Sequence, residues 1–276
     1  GADDYLAKPW DDNKLLATIN NLIELGQAKR ALQQRVRSEV RQRRELERGH
    51  DLCGMVWQDP ATERVVHLAC QVARADVPVL VSGPNGTGKE RIAEIIKANS
   101  SVRNGPFVVL NCGAIPSELI EAELFGVENA DGPRKTGLLE LGHNVTLYLD
   151  EISDRTLETQ GKVLRVLIDQ TSTRVGGSTR VQVDARVISS STRDLRIEVQ
   201  AENFREDLYH RLNVVPVRVP SLSERRDDIP HLVAHFMKRL SASGGLPMRE
   251  IGDDAMAVLQ AHSWPGNVRQ LRNIVE

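Results

Sequence analysis

At 276 residues, with 40% hydrophobic and 27% charged residues, the chain can bury at least one full core and reads as one main domain with appendages. Its net charge of -2 excludes the global basicity on which non-specific nucleic-acid binding depends, so any DNA contact is local or belongs to a domain outside this chain. Three scattered cysteines, Cys53, Cys70 and Cys112, form no CxxC pair and suggest neither a disulfide framework nor a zinc site. No apolar run is long enough for a bilayer, and the acidic start Gly1-Ala2-Asp3-Asp4 lacks the regions of a signal peptide. A soluble cytoplasmic protein is the expectation.

From Asn13 to Leu46, apolar residues such as Leu15, Leu16, Ile19, Leu22 and Ile23 recur at helical spacing without a proline, which predicts one or two helices. Between Lys29 and Arg48 stand eight Lys or Arg against three Glu, the pattern of a solvated linker helix or of an arm for a partner or nucleic acid. From about Asp51 short β-rich runs alternate with amphipathic helices. Strands are predicted at Val79–Val81, Phe107–Leu110, Thr146–Leu149, Ala185–Ser189 and Val214–Val217, and this alternation predicts an α/β fold with a parallel sheet covered by helices on both faces. After Pro220 the strands stop. Helices predicted over Ile229–Leu240, Asp253–His262 and Asn267–Val275, the last two separated by Trp264-Pro265-Gly266, make a small all-helical subdomain.

Directly after the first strand comes Gly83-Pro84-Asn85-Gly86-Thr87-Gly88-Lys89, and directly after that a helix over Glu90–Ser100. This is a P-loop, or Walker A element, in its required context. Its backbone N–H groups and the helix N-terminus suit phosphates, and Lys89 reaches the β- and γ-phosphates as a mobile cation. Glu90 stands where many P-loops place a Ser or Thr on magnesium, so Thr87 or another group has to assist the metal. The apolar strand Thr146–Leu149 ends in Asp150-Glu151, which reads as a Walker B pair: Asp150 for Mg²⁺ and Glu151 for the attacking water. In Phe204–Leu212, Arg205 and Arg211 lie six residues apart, about 240° around one helix. On a monomer they are surface charges; in a ring they can reach a neighbour's γ-phosphate. His231 and His235 stand four apart on a helix without a third metal ligand nearby, Trp264 is expected to pack the lid, and Cys112 to pack behind the P-loop.

Taken together, Gly83–Glu90, Asn111-Cys112, Glu123-Leu124-Phe125-Gly126, Leu149–Ile152, Phe204–Leu212 and Trp264–Asn273 resemble the NtrC-type AAA+ domain of sigma-54-dependent activators, over roughly Asp51 to Glu276. The resemblance implies a homo-oligomer, from dimer to hexameric or heptameric ring, that binds ATP and Mg²⁺ and acts on RNA polymerase. Asn111 then looks like the switch that relays the γ-phosphate state to Glu151, Arg205 and Arg211 like fingers acting in trans, and Arg269 like the lid's sensor arginine. Gly1–Trp10 looks like the end of a receiver domain with Lys8 as its phosphate-sensing lysine. A sensor kinase and a DNA-binding domain outside this chain are implied with it. The expected organisation is a receiver end over 1–25, a linker helix over 26–50, the ATPase subdomain over 51–220 and the lid over 221–276.

Two departures from the family pattern stand out. Between Gly126 and Gly137 the sequence reads Val127 to Thr136 without the Gly-Ala-Phe-Thr-Gly-Ala loop that grips sigma-54 in the family, which predicts a shortened loop and puts that contact in question. Ser189-Ser190-Ser191-Thr192 replaces the usual Ala-Ala-Thr-Asn, and Thr192, with fewer donors than an amide, predicts slowed hydrolysis with nucleotide binding retained. An ATPase motor and a nucleotide-dependent assembly switch independent of sigma-54 are the two readings that follow.

Overall fold

The computed structural model describes residues 12–113, 115–116, 119–127, 135–138, 144–169, 171–173, 180–182, 185–244 and 251–276. Asp12–Gly49 forms a single helix, α1, of 38 residues, continuous across the boundary expected between residues 25 and 26. Pairs such as Arg41–Glu45 at 2.9 Å, one turn apart, support it by about 0.2–0.5 kcal/mol each. Gly1–Gly49 and His50–Glu276 are two compact units. The receiver-like start, Lys8 included, lies outside the described residues.

The second unit begins with α2, Pro60–Ala73. Asp59 caps it, its carboxylate accepting the Ala61 N–H at 2.8 Å, and proline at the first position loses no hydrogen bond. Five parallel strands follow: β1, Val79–Ser82; β2, Phe107–Asn111; β5, Val145–Asp150; β8, Ala185–Ser191; and β9, Val215–Arg218. They pair in the order β2-β5-β8-β1-β9, all parallel, with Leu149 beside both Leu110 and Ser189. Val145 to Leu149 are all buried, as a central strand covered on both faces requires. Helix α3, Lys89–Ala98, connects β1 to β2 and buries Ile92, Ala93, Ile95 and Ile96 completely. All five predicted strands are in this sheet.

Around the sheet lie α4, Ile120–Phe125; α5, Leu157–Asp169; α6, Leu195–Gln200; and α7, Glu206–Leu212. Two short antiparallel ladders, β3 (Gly126–Val127) with β4 (Lys135–Thr136) and β6 (Thr171–Thr173) with β7 (Arg180–Gln182), were not expected from the sequence, because two- and three-residue strands carry almost no periodic signal. Most of the segment expected to hold the shortened loop, residues 128–134, lies outside the described residues. Past Pro220 come a 3₁₀ turn, Leu222–Glu224, and helices α8, Asp228–Gly244; α9, Asp253–Ala261; and α10, Asn267–Val275. Their core is built from Leu222, Ile229, Val233, Phe236, Trp264 and Leu271. Trp264 is 2% exposed and donates its indole N–H to the Leu259 carbonyl at 2.7 Å, so it packs the lid as its position in the sequence suggests. Among the described residues no helix is long and apolar enough to cross a membrane.

Candidate nucleotide site

Four neighbouring strands end on one edge of the sheet, and each delivers a polar group there. The P-loop leaves β1, Asn111 ends β2, Asp150 and Glu151 end β5, and Thr192 follows β8. Ligands of open parallel sheets bind outside the carboxyl ends of strands, so this edge is where a site belongs. Gly83 to Gly88 turns here from β1 into α3, beside Asn111, Asp150 and Glu151. A cavity of about 750 Å³ opens over it, lined by Asn85 to Glu90, Asn111, Asp150, Glu151 and the lid residue Arg269.

The P-loop is shaped by its glycines. Gly88, at φ +97°, forms the left-handed turn into α3, and Gly86, at φ +75°, lies so close to the Gly266 carbonyl of the lid that a Cβ would collide with it. Lys89 is 6% exposed; its ammonium donates to the Gly83 carbonyl at 2.9 Å and pairs with Glu151 Oε1 at 2.9 Å. Glu151 Oε2 accepts the backbone N–H of Thr192 at 3.1 Å and its hydroxyl at 3.0 Å. Both carboxylate oxygens are thus engaged. The Glu151 backbone is itself in the left-handed region, at φ +54°, which aims its side chain across the strand ends.

Asp150 Oδ1 accepts the Tyr148 hydroxyl at 3.0 Å and the Ser190 hydroxyl at 2.7 Å, and no protein donor among the described residues meets Oδ2. Thr87 is buried and its hydroxyl donates to the Pro84 carbonyl at 2.9 Å, which leaves the oxygen's lone pairs available to a metal. Among the described residues no group of three His, Cys, Asp or Glu side chains could hold an ion unaided. The donor set fits a Mg²⁺ held by one carboxylate together with phosphate oxygens and water. Lys89, Arg91, Arg225, Arg239, Arg269 and Arg272 line the same cavity as Glu90, Glu94, Asp150 and Glu151, a cationic excess suited to a polyphosphate. Cys112 packs under the acidic pair, donating its N–H to the Asp150 carbonyl at 2.9 Å, rather than behind the P-loop. Burial pushes its thiol up to about 12.

Three further residues escape a reading of the sequence. Arg225, 2% exposed, donates to the Thr87 carbonyl at 2.6 Å and pairs with fully buried Asp228 at 3.6 Å. Asp228 Oδ1 in turn accepts the N–H groups of Gln58 and Asp59. Asn267 joins the lid to the P-loop: its amide donates to the Asn85 carbonyl at 2.9 Å and its oxygen accepts the Leu222 N–H at 2.7 Å. His235, half-buried, lines the cavity; burial, then Arg239, holds its imidazole below the usual range. In the sequence these look like solvated charges, a helix cap and half of a histidine pair.

Arg205 and Arg211 line no part of the cavity. Arg205 precedes α7 as its N-cap, where the sequence places it inside the helix, and it grips Asp207 with two bonds, at 3.0 and 2.7 Å. Arg211, on α7, donates to the Leu167 carbonyl at 3.1 Å. Both are exposed, on a surface apart from the nucleotide site.

The strand order, the P-loop between β1 and α3, the acidic pair on β5 and a helical lid resting on the P-loop define the AAA+ class. The sigma-54 interaction domain family matches residues 55–218, and the AAA+ ATPase lid domain family matches residues 223–276. The chain belongs to the sigma-54 interaction family of AAA+ proteins. The nitrogen assimilation regulatory protein NtrX of Azorhizobium caulinodans is 48% identical over all of this chain and 59% of its own length. The DNA-binding transcriptional regulator NtrC of a Bradyrhizobium species is 40% identical over 99% of this chain and 55% of its own. Crystal structures of Brucella abortus NtrX superpose with a TM-score of 0.76 over the whole chain and 60% of theirs, at 46% identity for the ADP complex and 45% for the ATP complex. The chain spans a little over half the length of these relatives, and its 48% and 40% identity to them makes it homologous to two-component regulators of the NtrC and NtrX type.

Proposed function

We propose that this chain is the ATPase engine of a two-component transcription regulator, which assembles with nucleotide into a ring and hydrolyses ATP between subunits to act on RNA polymerase. The observation that carries the reading is the convergence of Lys89, Asn111, Asp150, Glu151 and Thr192 on one sheet edge beneath the lid's Arg269. The ADP and ATP complexes of Brucella NtrX support nucleotide as the ligand.

In this mechanism Lys89 exchanges the Gly83 carbonyl and Glu151 for the β- and γ-phosphates. That exchange frees Glu151 Oε1 to orient and polarise the attacking water. Asp150, whose Oδ2 has no protein donor among the described residues, would hold Mg²⁺, and the ion when bound would supply charge neutralisation on the phosphate oxygens. Asn111 relays the state of the γ-phosphate to Glu151, and Arg269 reports it to the lid. Arg205 and Arg211 act on the neighbouring subunit's site, and their place away from their own cavity suits that role. Thr192, which keeps hold of Glu151 Oε2, slows the reaction. Residues 1–25 close a receiver domain that answers a sensor kinase, residues 26–50 link it to the engine, and DNA is bound by a domain outside this chain.

The test is ATPase rate against protein concentration, with size-exclusion runs in ATP, in ADP and without nucleotide. A rate per subunit that climbs as a ring forms is expected; a flat rate from monomers would overturn the reading. A second reading rests on the sequence from Val127 to Thr136, which lacks Gly-Ala-Phe-Thr-Gly-Ala. There ATP governs assembly alone and promoters are regulated without sigma-54. Regulation in cells that survives Glu151→Gln would favour it.

A further inference from the structure

Tyr148, Asp150, Glu151 and Ser190 form a hydrogen-bonded unit at the ends of β5 and β8. Ser190 lies one residue beyond the Leu149–Ser189 register pair and is fully buried, with its hydroxyl between two backbones. It donates to Asp150 Oδ1 at 2.7 Å and accepts the Glu151 N–H at 2.9 Å. A serine hydroxyl has one hydrogen to give and lone pairs to receive, so both bonds coexist with normal polarity. The accepted N–H belongs to a residue in the left-handed region, a conformation unfavourable for a non-glycine residue, which this bond helps to hold. Tyr148 donates a second hydroxyl to the same Asp150 oxygen at 3.0 Å, and its buried ring is stacked on Phe107 with centroids 5.9 Å apart. Two O–H groups on Oδ1 fix the rotation of the carboxylate and leave Oδ2 for a cation.

We infer that Ser190 is a positioning residue that locks the metal carboxylate of Asp150 and the backbone of Glu151 into one rigid unit, with Tyr148 as its second support. The inference rests on the reading of Asp150 as the Mg²⁺ ligand. Groups that orient a metal ligand from behind are worth roughly 10–100-fold in metal affinity or activity. Ser190→Ala and Tyr148→Phe each delete one hydroxyl and leave the packing nearly intact.

The experiment measures Mn²⁺ affinity by electron paramagnetic resonance in the presence of a non-hydrolysable ATP analogue. It is paired with analogue affinity in EDTA and needs no turnover. Ser190→Ala is expected to weaken Mn²⁺ about tenfold, Tyr148→Phe by less, and the pair together by less than the product, because both act on one oxygen. Analogue affinity in EDTA stays within twofold of the native chain. Mn²⁺ affinity unchanged in both variants would overturn the inference, as would native-like Mn²⁺ binding by Asp150→Asn. Should Ser190→Ala fail to fold, Tyr148→Phe decides alone, since its ring still stacks on Phe107. A native chain that binds Mn²⁺ with the analogue yet never hydrolyses ATP removes the engine and leaves this inference to be judged on the variants' affinities.

Discussion

Glu151 is held from both sides: Lys89 takes one carboxylate oxygen, and the N–H and hydroxyl of Thr192 take the other. In its proposed role as the base, a carboxylate so engaged orients water only after one partner lets go. Lys89 has a better partner in a polyphosphate, whereas Thr192 keeps its bonds because its backbone N–H cannot leave. A longer amide at this position can reach past Glu151 toward the γ-phosphate, so Thr192→Asn is expected to raise turnover by up to roughly tenfold, well under the full worth of a transition-state donor. Steady-state ATPase at saturating ATP checks it, and an unchanged rate counts against a restraining Thr192. The cysteines offer an independent check on burial. Cys70 and Cys112 are 1% and 0% exposed, and burial pushes their thiols up to about 11 and about 12. Half-buried Cys53 is raised too, by burial and then Asp51. Thiolate is the reactive form, and a raised thiol yields it only at higher pH. A thiol reagent at neutral pH is therefore expected to label Cys53 alone and slowly, faster as the pH passes 9, and all three cysteines after denaturation. Labelling of Cys112 in the folded chain would contradict its position under the acidic pair.

Helix α10 meets the P-loop through its first turn. Asn267 binds the Asn85 carbonyl and the Leu222 N–H, Arg269 donates its backbone N–H to the Gly86 carbonyl at 3.3 Å, and Gly86 leaves no room for a side chain against Gly266. The lid is thereby fastened to the loop that would hold phosphates, which is how a change at the phosphates can move a helix. Removing the amide strands the buried Leu222 N–H, a loss of roughly 1–3 kcal/mol, so Asn267→Ala is expected to lower stability by that amount and to weaken nucleotide binding with it. Denaturant unfolding with and without ADP measures both; full stability would show that the bond carries nothing. The central strand of the main sheet is legible in the sequence because burial on both faces demands a run such as Val145 to Leu149, the edge strands because their β-rich residues stand between helical patterns, and the P-loop and acidic pair because they follow strands directly. Asn267 is not legible: after Gly266 it looks like any helix start, and its partners are 45 and 182 residues away. Arg225 hides within Glu224-Arg225-Arg226-Asp227-Asp228, where only tertiary burial separates it from its exposed neighbour Arg226. Arg205 shows a third limit, since one residue at a helix boundary decides between a cap and a helical face.

At the scale of the whole molecule, the proposed catalytic set is divided. Glu151, Asp150 and Lys89 share one cavity, while Arg205 and Arg211 stand outside it, so a subunit on its own lacks the two arginines proposed to reach the transferring phosphoryl group. In the proposed ring, head-to-tail contacts would supply them, because every subunit would then present its arginine surface to the next one's site. This arrangement makes a prediction that a monomeric enzyme cannot meet. Arg211→Ala subunits keep an intact Glu151 but offer no finger; Glu151→Gln subunits offer the finger but have no base. Each variant alone is expected to be nearly inactive, below the native rate by a factor of about 100 or more. Mixed in equal amounts and allowed to exchange, they form interfaces at random, and about one in four joins an intact Glu151 to an intact Arg211. Activity should therefore return toward a quarter of the native rate, and only under conditions in which subunits assemble. Mixing the two and following phosphate release measures it directly. Recovery establishes action between subunits, whereas a mixture no more active than its components would place Arg211 in a structural role, bonded to the Leu167 carbonyl within its own subunit.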